Sequence, residues 1–120
     1  MATETEKIGR TSELVAQAKL MRAGFTVYEP QTTEHHDILI EKDGIFQRAQ
    51  IKTVHVRSDR DNALVVFSKK SDGSAYTFDE AQLIIAVLND KHVFAIENKE
   101  QKEYWSKDLT RAKKKWQYLK

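Results

Sequence analysis

The chain has 120 residues, of which 40% are hydrophobic and 32% charged, with a formal net charge of +2; this fits one soluble globular domain with a small core, and the charge alone does not point to nucleic acid. Cysteine is absent, which excludes disulfides and thiolate metal centres and leaves an oxygen-ligated hard cation as the metal class to consider. No apolar run approaches membrane-spanning length and MATETEKIGR has no hydrophobic signal region, so a cytoplasmic protein without a membrane partner is expected.

Residues 1–8 are polar and read as a flexible tail. Thr11 or Ser12 is placed to cap a helix that runs to about Ala23, with Leu14, Val15, Ala18 and Met21 as its buried stripe and Gly24 as its terminator. Glu13 then falls in the first turn, where a carboxylate ordinarily complements the helix dipole. Phe25–Tyr28 reads as a strand stopped by Pro30, and Gln31–Glu34 as a polar loop. Asp37 opens a second strand, Asp43-Gly44 supplies a tight hairpin turn, and a third strand runs from Ile45 to about Val56. Alternation puts Phe46, Arg48, Gln50 and Lys52 on one face of that strand and Ile45, Gln47, Ala49, Ile51 and Thr53 on the other.

Ser58–Asn62 reads as a charged turn, and Ala63–Phe67 as a strand hairpinned to the third. Ser68–Ala75 is a polar loop, and Tyr76–Gln82 is too short and polar for a full helix. Leu83–Leu88 is a continuous apolar run, the pattern of a strand buried on both faces, and His92–Ile96 pairs back on it after Asn89-Asp90-Lys91. A last helix is expected over about Ser106–Tyr118, with Trp105, Trp116 and Tyr118 as core or dimer contacts. The element order predicts a single domain over residues 1–120 with a mixed central sheet, of α/β or α+β class.

The chemistry-bearing residues gather around the hairpin. Asp37 sits at the start of one strand, Gln50 and Lys52 project from its neighbour, and Glu13 comes from the preceding helix. Together with the backbone carbonyl of Ile51 they form a set of oxygen ligands and one ammonium, suited to Mg²⁺ and to charge on a phosphate. Each also has an ordinary reading: Asp37 as a strand-entry residue, Lys52 as an edge-strand lysine that blocks aggregation. His35 and His36 are adjacent on an extended segment and point to opposite faces, which argues against joint chelation of zinc. The basic groups, Arg111 with Lys113–Lys115 and Lys120, and Lys52 with Arg57, Arg60, Lys69 and Lys70, read either as surfaces that follow a phosphate backbone or as a solvated helix face and tail.

The combination Gly9-x-x-Ser12-Glu13, Gly24-Phe25-x-Val27, His36-Asp37-Ile38 and Gln50-Ile51-Lys52-Thr53, spread over roughly residues 8–56, resembles the PD-(D/E)xK nuclease superfamily. Two branches are nearest, the small intron-encoded homing endonucleases and the archaeal-type Holliday junction resolvases. The chain departs from the pattern in carrying Gln50 at the second acidic position, a QxK form found in the homing branch, and in lacking a proline next to Asp37. The resemblance implies a restriction-endonuclease-like core in which Glu13, Asp37 and the Ile51 carbonyl bind Mg²⁺, with Mn²⁺ as a substitute, Gln50 occupies the acidic ligand position, and Lys52 is the catalytic lysine.

It further implies a Mg²⁺-dependent endodeoxyribonuclease, foremost of the site-specific homing type. The alternatives are a Holliday junction resolvase and a non-catalytic DNA-binding module that keeps the fold. DNA is the expected partner, with Arg10, Arg48, Arg57, Arg60, Lys69 and Lys70 as candidate contacts. Cutting two strands with one site per chain implies a homodimer or higher homo-oligomer.

Overall fold

A computed structural model describes residues 3–30 and 37–120; the expected loop Gln31–Glu34 and the pair His35 and His36 lie outside the described residues. Helix α1 spans Glu4–Arg22, so most of the expected polar tail is helical. The signal for this early start is Thr3-Glu4-Thr5-Glu6, the S/T-x-x-E pattern of a capping box: the Thr3 hydroxyl accepts from the Glu6 amide at 3.1 Å. The helix ends as expected at Gly24, whose φ of +97° suits glycine. There the Phe25 amide donates to the Leu20 carbonyl at 3.0 Å and the Gly24 amide to that of Met21 at 3.1 Å, a Schellman closure.

The buried face of α1 is not the apolar stripe that spacing alone suggests. Ser12, Glu13, Ala16 and Leu20 are buried, with Val15 packed partly against the core, while Leu14 is 52% and Met21 57% exposed and Ala18 faces solvent. Two charge-bearing consequences follow. The helix presents a carboxylate to the sheet, and Glu13 lies mid-helix, too far from the N-terminus to answer the dipole, which acts within the first turn.

Strands β1 (Thr26–Tyr28), β2 (Asp37–Lys42), β3 (Ile45–Thr53), β6 (Leu83–Leu88), β7 (His92–Glu97) and β9 (Gln117–Leu119) form one mixed sheet in the order β1-β2-β3-β6-β7-β9. All neighbours are antiparallel except β3 and β6, which run parallel with Ile51 opposite Ile85. The β2–β3 hairpin turns at Asp43 (φ +54°) and Gly44 (φ +80°), the two positive angles of a type I′ turn. A second sheet, β4 (His55–Arg57), β5 (Ala63–Phe67) and β8 (Glu103–Ser106), has the order β4-β5-β8. The third strand therefore stops at Thr53. At Val54, whose amide still donates to the Val87 carbonyl at 2.8 Å, the chain leaves one sheet for the other, and β5 pairs with β4 instead of with β3.

The C-terminal helix is also shorter than expected. Helix α2 covers Leu109–Lys115, capped by the Asp108 carboxylate on the Arg111 amide at 2.8 Å. Trp116 is extended and buried, edge-on to Phe94 at 5.7 Å between centroids, and Tyr118 lies 5.3 Å from the same ring. The helical reading gives way because Trp116, extended at the helix C-cap, and Tyr118, in β9, pack their rings on Phe94.

The main sheet separates two cores. On one side α1 covers Ile38, Ile40, Ala49, Ile51, Ile85 and Val87. On the other, α2 and the second sheet cover Ile84, Ala86, Leu88, Phe94 and Ile96. β6 is buried on both faces, as its unbroken apolar sequence predicts. The architecture is α+β: two helices and a mixed sheet backed by a smaller one. Among the described residues no helix is long and apolar enough to cross a membrane.

Candidate active site at the end of strand β3

β2 begins at Asp37, opposite Gln50. Ile51, Lys52 and Thr53 are the last three residues of β3 and form the rim of that strand. Backbone direction along β3 follows from its bonds to β6: the Arg48 carbonyl accepts from Gln82 N at 2.9 Å, the Arg48 amide donates to Gln82 Oε1 at 2.6 Å, and the Val54 amide donates to Val87 O. Even-numbered residues thus direct their peptide groups toward β6. Alternation turns the carbonyl of Ile51 the other way, to the side of β3 on which β2 lies.

Side chains alternate by face. Asp37 and Gln50 are directly opposite in the antiparallel ladder and share a face with Lys52, while Ile38, Ala49 and Ile51 pack toward α1. Gln50 is only 6% exposed. Glu13 reaches the same end of β3 from the opposite layer: the Ser12 and Thr53 hydroxyls lie 2.8 Å apart and fix the helix against this end of the strand. The site residues therefore come from both faces of the sheet at the end of β3. Among the described residues no group of three His, Cys, Asp or Glu side chains is placed to hold a metal.

The charges are answered locally. Glu13 is 1% exposed, and the Arg10 guanidinium reaches its Oε2 at 3.2 Å while also lying 3.6 Å from Glu29. A carboxylate this deep requires such a cation, since an isolated buried charge carries a large desolvation penalty. Lys52 donates to the hydroxyl of Tyr76 at 3.3 Å and sits 5.1 Å from the centre of its ring. Burial holds the Lys52 ammonium below its ordinary pKa of 10.5.

Tyr76 has no signal in the motif spacing, because it arrives from the loop between the two sheets. Asn98 secures that loop. Its buried amide donates to the carbonyls of Tyr76, Thr77 and Ala81 at 3.0, 3.2 and 2.8 Å, and its oxygen accepts from Glu100 N and the Tyr104 hydroxyl. The sequence hints at this only by composition, an aromatic ahead of the buried run of β6 and an amide just after β7.

The candidate DNA contacts are less uniform than their charges suggest. Arg10 is engaged with Glu13. Arg57 makes two bonds to Asp59 at 2.9 and 2.7 Å, Arg60 pairs with Glu103 at 2.9 Å, and Lys70 with Glu80 at 2.9 Å. Lys69 lies 5.9 Å from the Phe67 ring centre, and Arg48 is exposed on the face that carries Gln50 and Lys52.

Comparison with known proteins bears directly on this geometry. Over 51 residues the chain is 39% identical to Protein 5.3 of Escherichia phage T7; the match takes in 42% of this chain and only 43% of that relative. In structure the chain resembles a bacterial homing endonuclease, I-Ssp6803I, with a TM-score of 0.74 at 14% identity, over 89% of this chain and 80% of that one, a likeness of fold. The family model described as PD-(D/E)XK endonuclease matches residues 3–109, helix, hairpin, rim and second sheet alike, and the chain belongs to that family.

Proposed function

We propose that the protein is a Mg²⁺-dependent endodeoxyribonuclease that hydrolyses DNA phosphodiester bonds, foremost as a site-specific homing-type enzyme. The observation that carries this reading is the grouping of Asp37, Gln50 and a desolvated Lys52 on one face, at the end of β3. The donors suit Mg²⁺: all are hard oxygens, and two carboxylates with one carbonyl leave room for the waters that this ion keeps. Glu13, Asp37 and the Ile51 carbonyl would hold it, and Gln50 offers a neutral amide oxygen in place of a third charge. Bound there, the metal supplies Lewis-acid stabilisation of phosphate charge and a more acidic water.

The remaining work falls to the chain. Lys52 directs its ammonium at a phosphate oxygen or at the attacking water, where a low-dielectric setting strengthens the interaction. Tyr76 restrains the Lys52 head group. Arg10 neutralises Glu13. With one such site per chain, two cuts need two copies, and a homodimer or higher assembly completes the proposal.

Two other readings have support of their own. The Gln50 substitution, with no three-residue acidic group among the described residues, favours a non-catalytic DNA-binding module. The short segments Arg57–Asn62 and Ser68–Ala75 favour recognition of branched shape, as in a Holliday junction resolvase, over reading a long target. One assay separates them: a labelled four-way junction, a long linear duplex and a diverse duplex library, each with Mg²⁺ or EDTA, for wild type and Lys52→Ala. Discrete Mg²⁺-dependent fragments from duplex, lost in Lys52→Ala, are the expected result. Cutting near the crossover alone selects the resolvase, and binding to all substrates without cutting selects the module.

A further inference from the structure

Next to Lys52 lies a cleft of about 270 Å³ between the start of α1, the rim of β3 and the second sheet. Its walls are Ile8 and Gly9 from the helix, Lys52 and Thr53 from the rim, and His55 and Phe67 from β4 and β5. None of Ile8, His55 and Phe67 has a part in the proposed metal site.

Three features define what would fill it. The walls are largely apolar and aromatic: Ile8 is a large aliphatic left 47% exposed, and the His55 and Phe67 rings lie 5.8 Å apart. One end is cationic at Lys52, and Lys69 lies 5.9 Å from the Phe67 ring centre, while Arg57, 5.8 Å from the same ring, has its charge answered by Asp59. Finally, Gly9 occupies a helix interior, where glycine is about 1 kcal/mol worse than alanine, and puts no side chain into the cleft. The matching ligand has a flat, weakly polar body and an attached anion. The volume falls at or below the roughly 300–1,000 Å³ of pockets for drug-sized molecules, which suits a single nucleoside better than a longer strand.

We propose that this cleft is a nucleoside subsite: it receives the sugar and base adjoining the phosphate that faces Lys52, with Phe67 and His55 as its stacking surfaces. The inference rests on the reading of Lys52 as the phosphate-facing lysine. Recognition by ring faces with the one cation Lys52 tolerates every base, because each has a π-face; sequence preference, where it exists, comes from elsewhere on the protein.

The test uses the full chain in EDTA, so that no cleavage intervenes, and two probes, thymidine 5′-monophosphate and 2-deoxyribose 5-phosphate, followed by amide NMR titration. The nucleotide is expected to shift Gly9, His55 and Phe67 and to bind roughly tenfold or more tightly than the sugar phosphate, the scale of one base–aromatic stack. Phe67→Ala should erase that difference. Gly9→Leu should block the nucleotide while leaving thermal stability equal or higher, because leucine is the better helix former. Lys52→Ala should weaken both probes alike. Equal affinity for the two probes, absence of binding in the millimolar range, or nucleotide binding unaffected by both Phe67→Ala and Gly9→Leu would overturn the subsite. Lys52-dependent cleavage without nucleotide selectivity removes the subsite alone; nucleotide selectivity without cleavage of any DNA removes the nuclease reading alone.

Discussion

Lys52 is held by geometry that alternation cannot foretell. The pairing of Asp37 with Gln50 and the shared face of Gln50 and Lys52 were legible, since a tight Asp-Gly turn fixes the register of a hairpin and register fixes faces. Tyr76 was not, because nothing in local sequence says which loop will reach back to a given strand. Its hydroxyl accepts from Lys52 at 3.3 Å while its ring stays 5.1 Å from the ammonium, so the two contacts can be separated by mutation. Tyr76→Phe keeps the ring and loses the hydrogen bond. With bonds to charged groups contributing about 1.5–3 kcal/mol, and this one long, kcat for DNA cleavage is expected to fall about tenfold with KM little changed. In a Lys52→Ala background the same substitution should do nothing further, which single-turnover kinetics on the four proteins would reveal.

At the scale of elements, α1 separates apolar spacing from burial. Leu14 and Met21 fit a helical stripe, yet the sheet selects the stripe one residue away, where Ala16 and Leu20 meet Ile38, Ile40 and Ile51 and where Glu13 rides with them. Sequence pattern cannot rank two adjacent stripes when the polar one carries a buried carboxylate. Chemical denaturation checks the assignment: Leu20→Ala should cost about 2–5 kcal/mol, and Leu14→Gln should stay within about 0.5 kcal/mol of wild type. Comparable losses from both would mean that the helix is phased otherwise.

The β7–β9 pair carries a pH dependence of its own. His92 Nδ1 lies 2.8 Å from the Tyr118 hydroxyl, and its pKa is lowered from 6.5, first by desolvation and then by Lys113, Lys91 and Lys19. The unfolded chain therefore binds a proton before the folded one does. Stability is whole above pH 6.5 and declines as pH falls from there toward the lowered folded value, below which the penalty is constant. Urea melts across this range should show a shallower acid slope for His92→Gln; an identical slope would assign the effect to other groups.

For the molecule as a whole, the α+β class, the hairpins and the doubly buried β6 were readable, because each depends on residues close in sequence. The second sheet was not. Its origin is a change of partner at Val54, where continuous β-propensity from Ile45 to Arg57 conceals that the strand passes from one sheet to another. The early end of α2 was hidden for a related reason, since Trp116 and Tyr118 suit either period until Phe94 supplies the surface for them. With extents of 40 × 36 × 26 Å and one candidate site at the end of β3, the proposed nuclease reading assigns one strand to each copy of the chain. Sedimentation equilibrium with a duplex substrate should give two or more protein copies per DNA, and strictly one copy on DNA that is nevertheless cut in both strands would rule out the paired arrangement.

The parallel pairing of β3 with β6 reaches beyond the fold. Glu13, Asp37, Ile51 and Lys52 all precede the strand that holds β3 from its other side, which ends only at Leu88. On the ribosome the chain thus emits its chemical groups long before it emits their frame. Closing so distant a contact is slow compared with forming the β2–β3 hairpin. A nascent or prematurely terminated product thus carries the whole set of proposed site residues without the strand that holds β3 in place.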